Sequence, residues 1–160
     1  MASQYARDTT VDPSASRGEI ERTLMRYGAT GFGYATEDDG TTSRAAVSFI
    51  AHGRQIRMLV TMPSRTDRQF THTPSRDTPR TKEAALKGWE KAVRQRWRAL
   101  ALLVKALLES VESDIVTFEQ AFLPYTVVPG TGMTVAEQVG PALETAIEAG
   151  TPARLQLTSG

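Results

Sequence analysis

The sequence predicts an α+β domain in which a small antiparallel three-stranded sheet packs against one long amphipathic helix, followed by short C-terminal helices. Two patterns predict it. Between residues 30 and 62 the apolar residues mostly alternate with polar or small ones, as in half-buried strands. Between residues 81 and 113 they recur every three or four positions, as on one helix face. A chain of 160 residues can bury one such core but is short for two.

The domain is predicted to occupy residues 16–150, between two poorly ordered ends. Residues 1–15 are small and polar without periodicity, which is typical of a disordered tail, and residues 151–160 are expected to fray. Ser16 is a plausible N-cap for the first helix, because Glu19 follows three residues later as in a capping box. This helix buries Ile20 and Leu24.

Three strands follow, beginning at Thr30. The stretch EDDGTTS supplies turn residues between the first two strands, and His52 and Gly53 form a two-residue turn between the second and third. Side chains alternate along the third strand, so Ile56 and Met58 share one face and Arg57 lies on the other. Residues 63–80 form a long, arginine-rich loop. A further short strand at residues 69–73 remains possible.

A long helix begins at Thr78 or Thr81 and continues to about Ser113. Its apolar stripe is predicted to pack on the sheet and consists of Leu86, Trp89, Val93, Trp97, Leu100, Val104, Leu107 and Val111. Two short helices are then predicted from capping boxes, one at Thr117 with Gln120 and one at Thr134 with Glu137. Pro141 is expected to kink or split the last helix.

Charge is distributed unevenly along the chain. Residues 1–105 contain 18 Lys and Arg against 11 Asp and Glu, whereas residues 106–160 contain one against seven. The net charge of +1 therefore hides a basic and an acidic part. Fifteen of the 19 bases are Arg, whose planar guanidinium suits bidentate contact with phosphate, although a GC-rich genome enriches Arg as well.

Five bases of the long helix lie on one line beside its apolar stripe. At 100° per residue, Lys87, Lys91, Arg94, Arg98 and Lys105 fall within a narrow sector about 27 Å long. Such a ridge is typical of a surface that follows a phosphate backbone. With bases of the loop and the third strand it gives a predicted nucleic-acid-binding set: Arg54, Arg57, Arg65, Arg68, Lys87, Lys91, Arg94 and Arg98.

Two other interpretations of this ridge remain open at the level of sequence. It can be ordinary solvated helix surface, or it can pair with the acidic C-terminal helices of its own or another copy. Phe32 and Tyr34 have a similar ambiguity, since aromatic residues on a strand stack on bases in some single-strand binders but more often belong to the core.

The chain offers little catalytic chemistry. Cysteine is absent, and His52 and His72 have no partners nearby in the sequence for a triad or a zinc site. The adjacent carboxylates Glu37, Asp38 and Asp39 are interpreted as a hairpin turn, although they could hold a divalent ion. We therefore expect a protein that is not an enzyme and needs no metal or cofactor, with a metal-dependent nuclease as a distant third hypothesis.

The stretch EIERTLMRYGATGFGYATEDDG, followed by strands and then KEAALKGWEKAVRQRWRALALLVKAL, resembles the core of single-strand annealing recombinases of the Erf and Red-beta type. The resemblance covers residues 17 to about 112 and concerns the order of elements. The chain also looks like small phage and prophage proteins. The resemblance implies an oligomeric binder of single-stranded DNA that promotes annealing without ATP or metal.

The leading hypothesis is therefore sequence-tolerant binding of single-stranded nucleic acid, with annealing in phage-type replication or recombination. The alternative is a protein-interaction or self-assembly module that binds no nucleic acid. A homo-oligomer is expected in either case. No apolar run is long enough to cross a bilayer or to serve as a secretory signal, so a soluble, cytoplasmic protein without a membrane partner is expected.

Overall fold

The computed structural model describes residues 13–39 and 42–152 and has the predicted α+β architecture. The elements, in chain order, are α1 (Pro13–Arg26), β1 (Thr30–Asp38), β2 (Ser43–Ala51), β3 (Arg54–Met62), α2 (Arg68–Thr71), α3 (Lys82–Glu112), α4 (Phe118–Phe122), a 3₁₀ turn (Leu123–Tyr125) and α5 (Val135–Ala149).

The sheet is an antiparallel meander of order β1-β2-β3. The predicted turn between β2 and β3 is confirmed. His52 and Gly53 have φ values of 50° and 70°, the left-handed pair that a two-residue hairpin requires. This turn sets the register that pairs Met58 with Val47. A shift in the register of β1 between Thr30 and Gly33 marks a bulge at the edge of the sheet.

One face of the sheet is buried under α1 and α3. Alternate residues of β2 and β3 point into this core, as the period of two predicts. Trp97 of α3 is the largest fully buried side chain and lies among sheet residues and the buried Ile20 and Leu24 of α1. The opposite face of the sheet retains exposed apolar side chains, among them Ile50 and Leu59.

The first helix begins earlier than the sequence predicts. α1 starts at Pro13, a residue whose fixed φ suits the first helical turn, so residues 13–15 are helical rather than tail. Ser16 is fully buried within this helix, and the predicted capping box at Ser16 is wrong. The rest of the predicted N-terminal tail, residues 1–12, lies outside the described residues.

The segment between β3 and α3 contains a short helix, α2, instead of the short strand that was possible at residues 69–73. α2 places Phe70 in a buried position beside α3. A Cβ atom added to Gly88 would lie 3.5 Å from Cδ1 of Phe70, so a small residue at this position allows α2 to pack closely.

The long helix is confirmed, with Thr81 as its N-cap, but its apolar stripe is buried only in part. The Thr81 hydroxyl accepts a hydrogen bond from the backbone N–H of Ala84. The buried residues of α3 begin at Trp97, and Leu86 is 44% exposed. The prediction that Leu86 packs on the sheet is therefore wrong, because the first half of α3 extends past the sheet and meets the α2 segment.

The C-terminal elements follow the capping signals. Both predicted capping boxes are present, at Thr117 and at Thr134. Pro141 lies within a continuous α5, and Gly150 ends this helix with a φ of 62°. Residues 153–160, most of the segment that is expected to fray, lie outside the described residues.

Candidate nucleic-acid interface

α1 and α3 pack side by side and form the two walls of a surface groove. Their contact is built from buried apolar residues of both helices, including Leu24 of α1 and Ala101 of α3. On the solvent side of this contact, Nη1 of Arg98 donates a hydrogen bond to Oε2 of Glu19 across 2.5 Å. We call this surface the α1–α3 groove.

The middle of the α1–α3 groove is basic. It holds a cavity of about 290 Å³ lined by Glu19, Arg22, Thr23, Arg26 and Lys105. In the described part of the chain, no carboxylate oxygen lies within 4.0 Å of the guanidinium nitrogens of Arg22 or Arg26. The Lys105 ammonium is 4.0 Å from Glu109, a weak pair at the surface. The bases of this cavity therefore exceed the carboxylates.

Three further bases lie on α3 between its N-terminus and the α1–α3 groove. Lys87 and Lys91 are exposed and Arg94 is half-buried. Within the residues that the structure describes, none of the three has a carboxylate oxygen within 4.0 Å, and the buried Nε of Arg94 has no hydrogen-bond partner. Lys87 and Lys105 are separated by about 27 Å along the helix axis at 1.5 Å per residue.

The structure does not join all eight predicted residues into one track. Arg54 and Arg57 lie on β3, where carboxylates from the acidic C-terminal part meet them. The Arg54–Glu119 distance is 2.9 Å and the Arg57–Glu137 distance is 2.8 Å. Pairing between C-terminal acids and bases of the same chain was one of the possibilities that the sequence left open. It occurs at Arg54 and Arg57.

The two loop arginines are also engaged. Arg68 forms a salt bridge with Asp77 on the same loop. The guanidinium of Arg65 lies over the ring of Trp89, 4.2 Å from its centroid, and the indole N–H donates to the carbonyl of Pro63. The predicted residues that remain together are thus Lys87, Lys91, Arg94 and Arg98, on one flank of α3. Of these four, Arg98 is paired with Glu19.

The carboxylate that meets Arg57 is itself built into a helix cap. Hydrogen bonds from the backbone N–H of Thr134, then from its hydroxyl and from Arg57, hold the pKa of Glu137 below its ordinary value. The carboxylate stays ionised at neutral pH, so Arg57 has a permanent counter-charge.

The strand aromatics belong to the core face. The ring of Tyr34 meets Trp97 edge to face, with centroids 5.7 Å apart, and Phe32 packs against Tyr34. The Tyr34 hydroxyl donates to the carbonyl of Arg17, and burial, with the nearby Glu21, raises its pKa to about 12. Neither ring is free to stack on a base.

The positions examined for catalysis have structural roles. The Asp39 carboxylate accepts hydrogen bonds from the N–H and hydroxyl of Thr42, as a turn requires. His52 stacks on Phe118 and the Nδ1 of His72 contacts the Thr71 hydroxyl. In residues 13–39 and 42–152, no group of three or more His, Asp or Glu side chains is arranged to hold a metal ion.

Sequence reasoning missed the contribution of α1 to this interface. Arg22 and Arg26 are one turn apart on that helix, beside the face that buries Ile20 and Leu24. The spacing was readable as two bases on one flank of an amphipathic helix. Their position opposite Lys105 depends on how two helices distant in sequence pack, which the pattern does not specify.

Comparisons with known proteins add no family assignment. No family model, no curated protein and no solved structure matches this chain. Across the described residues, none of the helices is both long and apolar enough to span a bilayer.

Proposed function

We propose that the chain binds nucleic acid through the α1–α3 groove, by sequence-tolerant contact with the phosphate backbone. The observation that carries the proposal is a set of five bases on α1 and α3, of which Arg22, Arg26 and Lys105 line the groove cavity and Lys91 and Arg94 lie on α3 beyond it. Four of the five, all except Lys105, have no carboxylate within 4.0 Å among the described residues. A polyanion in this groove releases condensed counterions, which is the main source of affinity in sequence-independent binding.

The spacing of the bases suits an extended ligand. Lys91, Arg94 and Lys105 extend over about 21 Å of α3, with Arg22 and Arg26 on the neighbouring helix, whereas a site for a single small anion would converge its donors on one point. Exposed Lys and Arg side chains can follow a flexible phosphate chain without fixing its sequence. The groove thus favours a nucleic acid over a small phosphorylated metabolite.

Single-stranded DNA, with annealing in phage-type replication or recombination, is the ligand and process that we propose. The resemblance of the helix, meander and long helix to annealing recombinases supports this choice. The inward orientation of Phe32 and Tyr34 means that these rings supply no base stacking, so binding rests on phosphate contacts. The salt dependence of affinity should accordingly be steep.

Fluorescence anisotropy with a labelled single-stranded oligonucleotide tests the proposal. The wild-type chain should bind at 50 mM salt, and the logarithm of its affinity should fall with the logarithm of salt concentration with a slope of about −3 or steeper if four or more phosphates are neutralised. Absence of binding at 50 mM salt contradicts the proposal. A duplex of the same sequence in parallel measures the preference for single strands.

Two double variants with equal charge change locate the site. Lys91→Gln with Arg94→Gln should weaken binding at least tenfold and reduce the salt slope by about 1.4 units, because neither base has a carboxylate within 4.0 Å among the described residues. Arg54→Gln with Arg57→Gln removes the same charge from β3, where both bases are already neutralised. Equal losses in the two variants would show a general effect of net charge and would remove the groove from the proposal.

The remaining hypotheses have separate outcomes. A chain that assembles without binding DNA or RNA at low salt is the interaction module of the alternative hypothesis. Cleavage of a supercoiled plasmid after addition of magnesium or manganese would identify the nuclease instead. We propose a protein without catalytic activity, for which both metals leave the plasmid intact.

A further inference from the structure

One of the two tryptophans of α3 lies outside the hydrophobic core. The sequence pattern places Trp89 and Trp97 on the same apolar stripe, but only Trp97 is buried in the core. Trp89 is partly exposed and, among the described residues, belongs neither to the core cluster nor to the apolar side chains packed against it. It lies on the half of α3 that extends past the sheet. Tryptophan kept at a surface in this way is typical of a residue that contacts a ligand or partner.

The ring of Trp89 is held by two contacts with the segment that follows β3. Its indole N–H donates a hydrogen bond of 2.8 Å to the carbonyl oxygen of Pro63. The guanidinium carbon of Arg65 lies over the ring, 4.2 Å from its centroid, in a cation–π contact. Because Arg65 is exposed, a ligand can reach its guanidinium on the side that faces away from the indole. We call this pair the Arg65–Trp89 stack.

Two further bases flank the Arg65–Trp89 stack along α3. Lys82 and Arg96 are seven residues before and after Trp89, so each lies within about 20° of it around the helix and about 10 Å from it along the axis. Both are exposed. Among the described residues, neither they nor Arg65 have a carboxylate oxygen within 4.0 Å. A cation therefore stands on each side of the stack.

Three carboxylates lie near the Arg65–Trp89 stack in the sequence, and none of them pairs with its bases. The Asp67 carboxylate accepts a hydrogen bond from the backbone N–H of Ser64 instead. Glu83 and Glu90 are turned about 120° and 100° around the helix from Trp89, toward the side of the α1–α3 groove. The positive charge at the stack is thus available to an anionic ligand.

We propose that the Arg65–Trp89 stack is a base-stacking site, in which an unpaired base of a single-stranded nucleic acid lies on the guanidinium of Arg65. Lys82 and Arg96 contact the phosphates on either side. Unpaired bases stack on aromatic rings and on guanidinium planes, whereas bases within a duplex expose no face. The stack lies on nearly the opposite side of α3 from Lys91, two residues and about 200° away. Phosphate contacts in the groove carry no base information, so this second site supplies the preference for single strands. It rests on the proposed function for the identity of its ligand.

Two strands of equal length and charge test this site by fluorescence anisotropy with the full chain. One is a thymidine oligonucleotide, and the other has the same sugar-phosphate backbone without bases. The wild type should bind the strand with bases about fivefold more tightly or better, as stacking of one base predicts. Trp89→Leu and Arg65→Gln should each abolish most of this ratio. Arg76→Gln is the matched control, because it removes an exposed arginine from the same segment and should leave the ratio unchanged.

Acrylamide quenching of tryptophan fluorescence gives a second measurement. Trp97 is 1% exposed, so acrylamide mainly quenches Trp89, and the bound thymidine strand should reduce this quenching more than the bound strand without bases. Circular dichroism checks the fold of Trp89→Leu, and the exposed position of Arg65 makes Arg65→Gln independent of folding.

The possible outcomes separate the stacking site from the proposed function. Equal affinity of the wild type for the two strands overturns the stacking site and leaves binding in the α1–α3 groove intact. A ratio that Trp89→Leu and Arg65→Gln both leave unchanged overturns it as well. Absence of binding to either strand contradicts the proposed function and the stacking site together.

Discussion

The α1–α3 groove and β3 carry the same kind of residue in opposite electrostatic surroundings. In the groove, Arg22 and Arg26 have no carboxylate within ion-pair distance among the described residues. On β3, Arg54 and Arg57 each meet a glutamate from the C-terminal part of the chain. A count of bases along the sequence treats the four as equal. Their availability to a ligand is decided by residues 65 and 80 positions away.

The groove depends first on the packing that holds its two walls together. Ile20→Ala removes a fully buried side chain of α1 and should lower the free energy of unfolding by about 2–5 kcal/mol. Nucleic-acid affinity should fall with it wherever α1 detaches, whereas the ion pairs on β3 lie on the sheet and persist. Urea unfolding measures the loss. Met25→Ala, at a 65% exposed position of the same helix, should change stability by less than about 0.5 kcal/mol.

Substitution of Glu137 changes the electrostatic surroundings of Arg57 on β3. Glu137→Gln should lower stability by about 1 kcal/mol at neutral pH, since it weakens hydrogen bonds that the carboxylate accepts from Thr134 and Arg57. A lowered folded-state pKa means that this stabilisation is present above the ordinary value of 4.5 and is lost as the pH falls through the lowered value.

Urea unfolding at neutral pH and below pH 4.5 checks this effect. The Gln variant should lose less stability on acidification than the wild type. Glu112→Gln is the control, because Glu112 is exposed at the end of α3 and has no ion-pair partner among the described residues. An identical acid response in the two variants would contradict a special role for Glu137.

The smallest effect is expected at Arg54. Its pair with Glu119 is solvent-exposed, with 39% and 55% of the two side chains accessible, so Arg54→Gln should change stability by less than about 0.5 kcal/mol. Denaturation in low and high salt should give nearly the same difference. A change above 1 kcal/mol would show that this pair organises the contact between α4 and the β2–β3 turn.

Periodicity and capping signals predicted most of the fold. The His52–Gly53 turn, the Thr81 cap and the two C-terminal capping boxes depend on residues close together in sequence, and all are present. Leu86 shows where this reasoning stops. Its spacing places it on the apolar stripe, but whether the stripe meets the sheet at that level depends on where a helix longer than the strands extends beyond them.

The candidate site was predictable to a smaller extent. Lys87, Lys91 and Arg94 share a helix face, and the 100° rotation per residue is enough to place them together. Arg57 and Glu137 are 80 residues apart, and no local sequence pattern predicts their contact. The opposite wall of the groove, with Arg22 and Arg26, was missed for the same reason, because it requires the packing of two separate helices.

The length of α3 has a consequence for its motion. Its 31 residues extend about 46 Å, and its buried side chains begin only at Trp97. The preceding turns rest on the short segment that holds α2, so they can open locally at a lower free energy than the unfolding of the domain. Amide hydrogens of Lys82–Arg96 should therefore exchange with solvent sooner than those of Trp97–Leu108. The exposed ammonium groups of Lys87 and Lys91 lie on the half of the helix that opens locally.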